Sequence, residues 1–116
     1  MAVLLFAGIP VQDHTAALAW YERLLGTPPT YVPSDTEAVW ELAENRSFAV
    51  EHLPGHAGHA RHTVFLGGPR DLDSFVERAI AAGVAPVRRE TYGNGVRKVT
   101  FRDPDGNEIG FGAPPE

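Results

Sequence analysis

The stretch FRDPDGNEIGF, residues 101–111, reads as a strand, a tight turn and a second strand. Val96 to Phe101 is rich in β-formers and ends on an aromatic ring. Asp103 then offers a short carboxylate to turn amides, and Pro104 pre-sets φ for the first turn position. Gly106 supplies the left-handed residue that closes the hairpin. Beyond the turn, Ile109 and Phe111 alternate with Glu108 and Gly110, so two apolar side chains share one face and Glu108 and Gly110 share the other. Any hairpin can use such a turn; its weight comes from what lies upstream.

Working backwards, Ala85–Arg89 and Val96–Phe101 read as strands ahead of this last one. They follow a helix that opens at Asp71, buries Phe75, Val76, Ile80 and Ala81, and stops at Gly83. Arg61–Leu66 is a strand before that helix. The first half of the chain has the same order. Val3–Val11 is a strand, and Asp13 or Thr15 caps a helix carrying Ala16, Leu18, Tyr21, Leu24 and Leu25. Gly26 ends it, with Pro28 and Pro29 enforcing the stop. Tyr31–Pro33, Ala38–Leu42 and Ser47–Leu53 are three short strands, and residues 54–61 (PGHAGHAR) are a loop. The pattern βαβββ therefore occurs twice, in halves of about residues 1–54 and 60–116 of a single domain spanning residues 1–116. An internal repeat of this kind governs the whole architecture.

Each four-stranded unit has one sheet face for its own helix and one left over. Two such units are expected to pair their spare faces around a cavity, giving an α+β fold with a curved mixed sheet. Strict alternation predicts Ala7, Ile9, Val11, Thr63, Phe65, Ile109 and Phe111 against the helices. It predicts Phe6, Gly8, His62, Val64, Leu66, Glu108 and Gly110 toward the cavity.

Composition narrows the function classes. The chain has 116 residues, a net charge of −5 and no cysteine. Disulfides, cysteine–zinc sites and thiol chemistry are excluded. The acidic balance argues against a nucleic-acid partner, which needs a basic surface, and is compatible with a cationic ligand. No apolar run approaches the ~20 residues of a membrane span. The apolar N-terminus lacks a basic n-region and reads as a strand, so a cytoplasmic location is expected. No nucleophile elbow or phosphate-binding glycine loop is present.

Three segments together resemble the vicinal oxygen chelate superfamily, which groups glyoxalases, bleomycin-resistance proteins, fosfomycin-resistance enzymes and extradiol dioxygenases. They are VQDHTAALAWYERLLG after the first strand, RHTVFL followed by RDLDSFVERAIAAGV, and FRDPDGNEIGF. The resemblance implies paired βαβββ modules, commonly assembled as a homodimer. It also implies where a divalent ion would sit in metal-dependent members. The expected ligand positions fall on Phe6, His62 and Gly110, with Glu51 as a further match. Phenylalanine and glycine cannot ligate, and a catalytic site needs about three protein ligands. No metal ligands and no cofactor are therefore expected.

The reading adopted from the sequence is a small-molecule-binding member resembling the sequestering antibiotic-resistance proteins, with the question of catalysis left open. Its expected ligand is aromatic or cationic, and its expected contacts are Phe6, Trp40, Glu51, His62 and Glu108. Trp40 offers flat area for stacking, with a place in the core as the competing reading. The alternative is a metal-dependent glyoxalase-, lyase- or dioxygenase-like enzyme with a non-standard site around Glu51 and His62. A third reading makes a His62–Glu51 pair a metal-free acid–base catalyst. His52, His56, His59 and His62 crowd one short segment, a pattern that suits either chelation or a solvated loop at the cavity mouth.

Overall fold

The order βαβββ occurs twice, as the sequence implies. The structure, a computed structural model, describes all 116 residues. The first unit comprises β1 (Leu5–Val11), α1 (His14–Leu25), β2 (Tyr31–Ser34), β3 (Glu37–Ala43) and β4 (Arg46–His52). A single 3-10 turn (Pro54–His56) leads to the second, made of β5 (Arg61–Phe65), α2 (Pro69–Ala81), β6 (Arg88–Thr91), β7 (Arg97–Arg102) and β8 (Glu108–Ala113). Each unit forms a four-stranded mixed sheet, ordered β1-β4-β3-β2 and β5-β8-β7-β6. In both, the first strand pairs in parallel with the last, and the other pairings are antiparallel. No helix is long and apolar enough to cross a membrane.

Local chemistry explains the helix ends. Asp13 stands extended before α1, and its Oδ1 accepts from the Ala16 amide at 3.1 Å. α2 begins at Pro69, two residues before the expected Asp71, because proline suits the first turn, where an amide has no partner inside the helix. The buried stripe is Leu72, Val76 and Ala79, which pack into the core, with Phe75 half-buried; Ile80 and Ala81 are exposed. β6 starts at Arg88 and not at Ala85, since Pro86 has no amide for the ladder.

Both helices cover one side of the molecule. A single core joins Ile9, Val11, Tyr21 and Trp40 of the first unit to Leu72, Phe101, Ile109 and Phe111 of the second. Each large side chain buried there contributes about 1.5–3 kcal/mol of transfer free energy. Arg78 on α2 donates to the carbonyls of Arg23 and Leu24 at the C-terminal end of α1, where a cation also complements the helix dipole.

The sheets lie side by side, with edge strands β1 and β5 joined by side chains and not by a ladder. His62 Nε2 donates to the Gly8 carbonyl at 2.8 Å, and Asn107 Nδ2 donates to the Pro10 carbonyl at 2.8 Å. The result is a slab of 42 × 37 × 24 Å with helices on one side and both spare sheet faces open on the other.

Register corrects the expected phase of β5. His62 pairs with Ile109 and Val64 with Phe111, both core residues, so His62, Val64 and Leu66 lie on the helix side. Arg61, Thr63 and Phe65 share the open face with Glu108, Gly110 and Gly112. In parallel pairing, partners face alike, and it is this pairing with β8 that sets the phase of β5. The phase expected for β1 and β8 holds.

Candidate functional site

The open face of the second sheet is built from alternate residues of four strands. β5 supplies Arg61 and Thr63, β8 supplies Glu108 and Gly110, β7 supplies Lys98, Thr100 and Arg102, and β6 supplies Arg88 and Glu90. Glu108 is the hub. Its Oε1 accepts from Arg88 at 3.0 Å and its Oε2 from Arg102 at 2.9 Å, while Arg61 stands 3.9 Å away. Hydrogen bonds from Arg102 and then Arg88 hold its carboxyl at a pKa of about 2, so it stays ionised. A trough of about 620 Å³ opens beside this cluster, lined by His59, Arg61, Arg88, Tyr92, Lys98 and Glu108 among others.

A smaller recess of about 130 Å³ adjoins the trough, bounded by residues 61–63, Lys98, Thr100, Glu108 and Gly110. Lys98 lies across Gly110 so closely that a Cβ on Gly110 would stand 2.6 Å from Lys98 Cε and 3.6 Å from Nζ. A side chain at this position would have to displace the end of the lysine. No carboxylate lies within ion-pair distance of the Lys98 ammonium. The Thr100 side chain is 1 % exposed, and its Oγ1 has no hydrogen-bond partner.

The open face of the first sheet differs in charge. Register places Phe6, Gly8 and Pro10 of β1 there with Glu51, Glu37, Glu41 and Val39. The first half holds only two of the ten basic residues, Arg23 on α1 and Arg46 on the opposite phase of β4. Phe6 is 46 % exposed, and on the second sheet Phe65 is 58 % exposed.

The expected contacts therefore separate. Phe6 and Glu51 lie on the first open face and Glu108 on the second. Trp40 does not reach either: it is 1 % exposed on the helix side, its indole donates to the Thr27 carbonyl at 2.9 Å, and its ring tilts against Tyr21. Its partner in register, Phe48, is likewise core, which fixes that side of β3 against α1. His62 is also turned inward. Because a carbonyl only accepts, its Nε2 carries the proton given to Gly8, and the ring lies 6.4 Å from that of Phe48. The expected His62–Glu51 pair does not form, since the two side chains leave their sheets on opposite faces.

The family model described as the Glyoxalase/Bleomycin resistance protein/Dioxygenase superfamily matches residues 3–111. The chain belongs to that superfamily. Among solved structures, the glyoxalase / bleomycin resistance protein from Catenulispora Acidiphila DSM 44928 is 51 % identical. The match covers 98 % of this chain and 100 % of that one, with a TM-score of 0.93. Two more distant structures share the fold. Lactoylglutathione lyase from Agrobacterium tumefaciens is 16 % identical over 97 % of this chain and 94 % of its own, with a TM-score of 0.79. The oxidase ChaP-H1 is 22 % identical over 99 % and 98 %, with a TM-score of 0.72. No curated protein matches the sequence.

The divalent ion implied by metal-dependent members of the superfamily does not fit the residues present. His62 is bonded to backbone on the helix side, Phe6 offers a ring, and Lys98 fills the space in front of Gly110. No three histidine, aspartate or glutamate side chains converge, His52, His56 and His59 included.

Sequence reading missed Arg61, Arg88, Lys98, Thr100 and Arg102. The signal was there: Lys98, Thr100 and Arg102 alternate with Val99 and Phe101, and Arg88 with Glu90 repeats the pattern on the neighbouring strand. The apolar phase of these strands reveals the core, and the polar phase reveals the site.

Proposed function

We propose that this member of the superfamily binds a small molecule on the open sheet faces, without a family-type metal ion and without acid–base catalysis by His62. The observation that carries the reading is the trough around Glu108, a concave polar surface at a place where no set of metal ligands assembles. Further along β5 on the same open face, the exposed ring of Phe65 suits an apolar portion of a ligand.

A second copy completes the site. The first sheet offers Glu37, Glu41 and Glu51, and the second offers Arg61, Arg88, Lys98 and Arg102 against Glu90 and Glu108. A twofold pairing of the first sheet of one copy with the second sheet of the other joins unlike charges and covers Phe6 and Phe65 on both subunits. Such pairing also encloses the trough. The resemblance to sequestering resistance proteins fits this reading, which makes and breaks no bond. Glu51 then lines the cavity from the facing subunit.

The test is a thermal-shift screen of neutral, anionic and cationic aromatic compounds, with light scattering for mass and elemental analysis of untagged protein. A raised melting point for one class, a dimeric mass and no stoichiometric metal support the reading. A stoichiometric divalent ion, or no stabilisation by any class, overturns it.

A further inference from the structure

We propose that the recess beside Gly110 is an anion subsite, in which the Lys98 ammonium supplies the fixed positive charge that a metal ion supplies in metal-dependent members of the superfamily. The bound group is a ligand carboxylate or phosphate. This rests on the reading of the trough as a small-molecule site and names the ligand's chemistry within it.

Three observations converge. First, Lys98 lies across the bare Gly110 backbone, with Cε 2.6 Å and Nζ 3.6 Å from where a Cβ would stand. The position where the resemblance expects a carboxylate thus has a cation beside it, a reversal of charge and not a mere loss. Second, Lys98 lacks a carboxylate partner within ion-pair distance, although it borders both the recess and the trough. Of the acids on this face, Glu90, its cross-strand partner, is held by Arg88, and Glu108 is held by Arg88 and Arg102. Third, Thr100 places an unpartnered, almost fully buried hydroxyl at the wall of the same recess. Buried polar atoms without partners are rare and ask for a ligand or a water. Thr63 adds a second hydroxyl, 3.4 Å from the Cβ position of Gly110.

The arrangement suits an oxyanion. One oxygen meets the ammonium in a charge-assisted hydrogen bond, and the threonine hydroxyls donate to the remaining lone pairs. A cation is repelled by Lys98 and Arg61, so the expectation of a cationic ligand drawn from net charge is reversed at this subsite. Net charge describes the whole surface, whereas eight of the ten basic residues belong to the second half.

The experiment uses four probes that share one ring: benzoate, phenyl phosphate, benzamide and benzylammonium. Their dissociation constants are measured by NMR titration at fixed ionic strength, following the amides of Thr63, Lys98, Thr100 and Gly110. Benzoate or phenyl phosphate is expected to bind at least about tenfold more tightly than benzamide, with benzylammonium weakest. The stronger of the two anions names the head group. Lys98→Met is expected to remove the preference, so that the anions bind no more tightly than benzamide does to the same variant, and Lys98→Arg to restore part of it. Thr100→Val, which keeps the shape, tests the hydroxyl if Lys98→Met fails to fold. Equal binding of benzamide and the anions overturns the subsite and leaves the trough reading standing. Failure of all four probes overturns both.

Discussion

The hydroxyl of Tyr21 on α1 donates to Oδ2 of Asp103 at 2.7 Å, joining two buried groups 82 residues apart. The same carboxylate takes the amides of Asp105 and Asn107 on Oδ1 and the Asn107 side chain on Oδ2. Asp103 thereby organises the turn of residues 103–107 and fastens it to the first unit's helix.

Tyr21→Phe removes one charge-assisted bond from a buried carboxylate. It should lower the unfolding free energy by about 1.5–3 kcal/mol, read by urea denaturation at neutral pH. Burial, and then the Asp103 charge, hold the Tyr21 phenol well above its usual range. A folded-state pKa above the unfolded value contributes stability that is present below about pH 10 and is lost as pH rises further. The alkaline loss should therefore be shallower in Tyr21→Phe than in the wild type. Equal alkaline slopes would count against the bond.

Glu108 behaves in the opposite sense. Arg102 and Arg88 hold its pKa at about 2, below the ordinary 4.5. Its contribution is present above about pH 4.5 and is lost as pH falls toward 2. Glu108→Gln should flatten the acid limb of the stability–pH curve between those values, and added salt should shrink the difference, because the cluster faces solvent. Acid titrations of both proteins followed by circular dichroism decide this.

Trp40 separates stability from binding. Trp40→Phe loses the bond to the Thr27 carbonyl and some packing, at a cost of about 1–2 kcal/mol. Because the indole lies on the helix side, ligand affinity in the trough should stay within twofold of wild type, whereas Lys98→Met changes it. A large affinity loss in Trp40→Phe at unchanged fold would move the site to the other side of the sheet.

The paired-copy arrangement has its own test. Phe65→Asp puts a carboxylate on the face expected to meet Glu37, Glu41 and Glu51 of a second copy. It should weaken the dimer about tenfold or more in sedimentation equilibrium while leaving the monomer's circular dichroism unchanged. Phe65 is more than half exposed in the single chain, so the substitution removes little from the monomer core.

Much of the fold was legible in the sequence. Helical period, glycine stops and the turn after Phe101 gave both βαβββ units, because each depends on local spacing and turn chemistry. The facing of His62 was not legible. β5 is only five residues long with mixed polarity on both phases, so its own alternation cannot tell inside from outside; its parallel pairing with β8, 47 residues on from His62 to Ile109, decides it. The site suffered from the same limit. Gly110 could be read as a lost ligand from its place after the turn, but that Lys98 lies across it depends on antiparallel register between β7 and β8, which places Lys98 opposite Gly112 and Thr100 opposite Gly110.

The strand orders also bear on how the chain comes together during synthesis. In each unit the first strand pairs only with the last one made, so β5 stays without a ladder partner until β8 has left the ribosome. The first sheet can close once His52 emerges, whereas the second must wait for nearly the whole chain. Asn107, which reaches back to the Pro10 carbonyl and takes the Ala60 amide, is then the residue whose arrival latches the finished halves together.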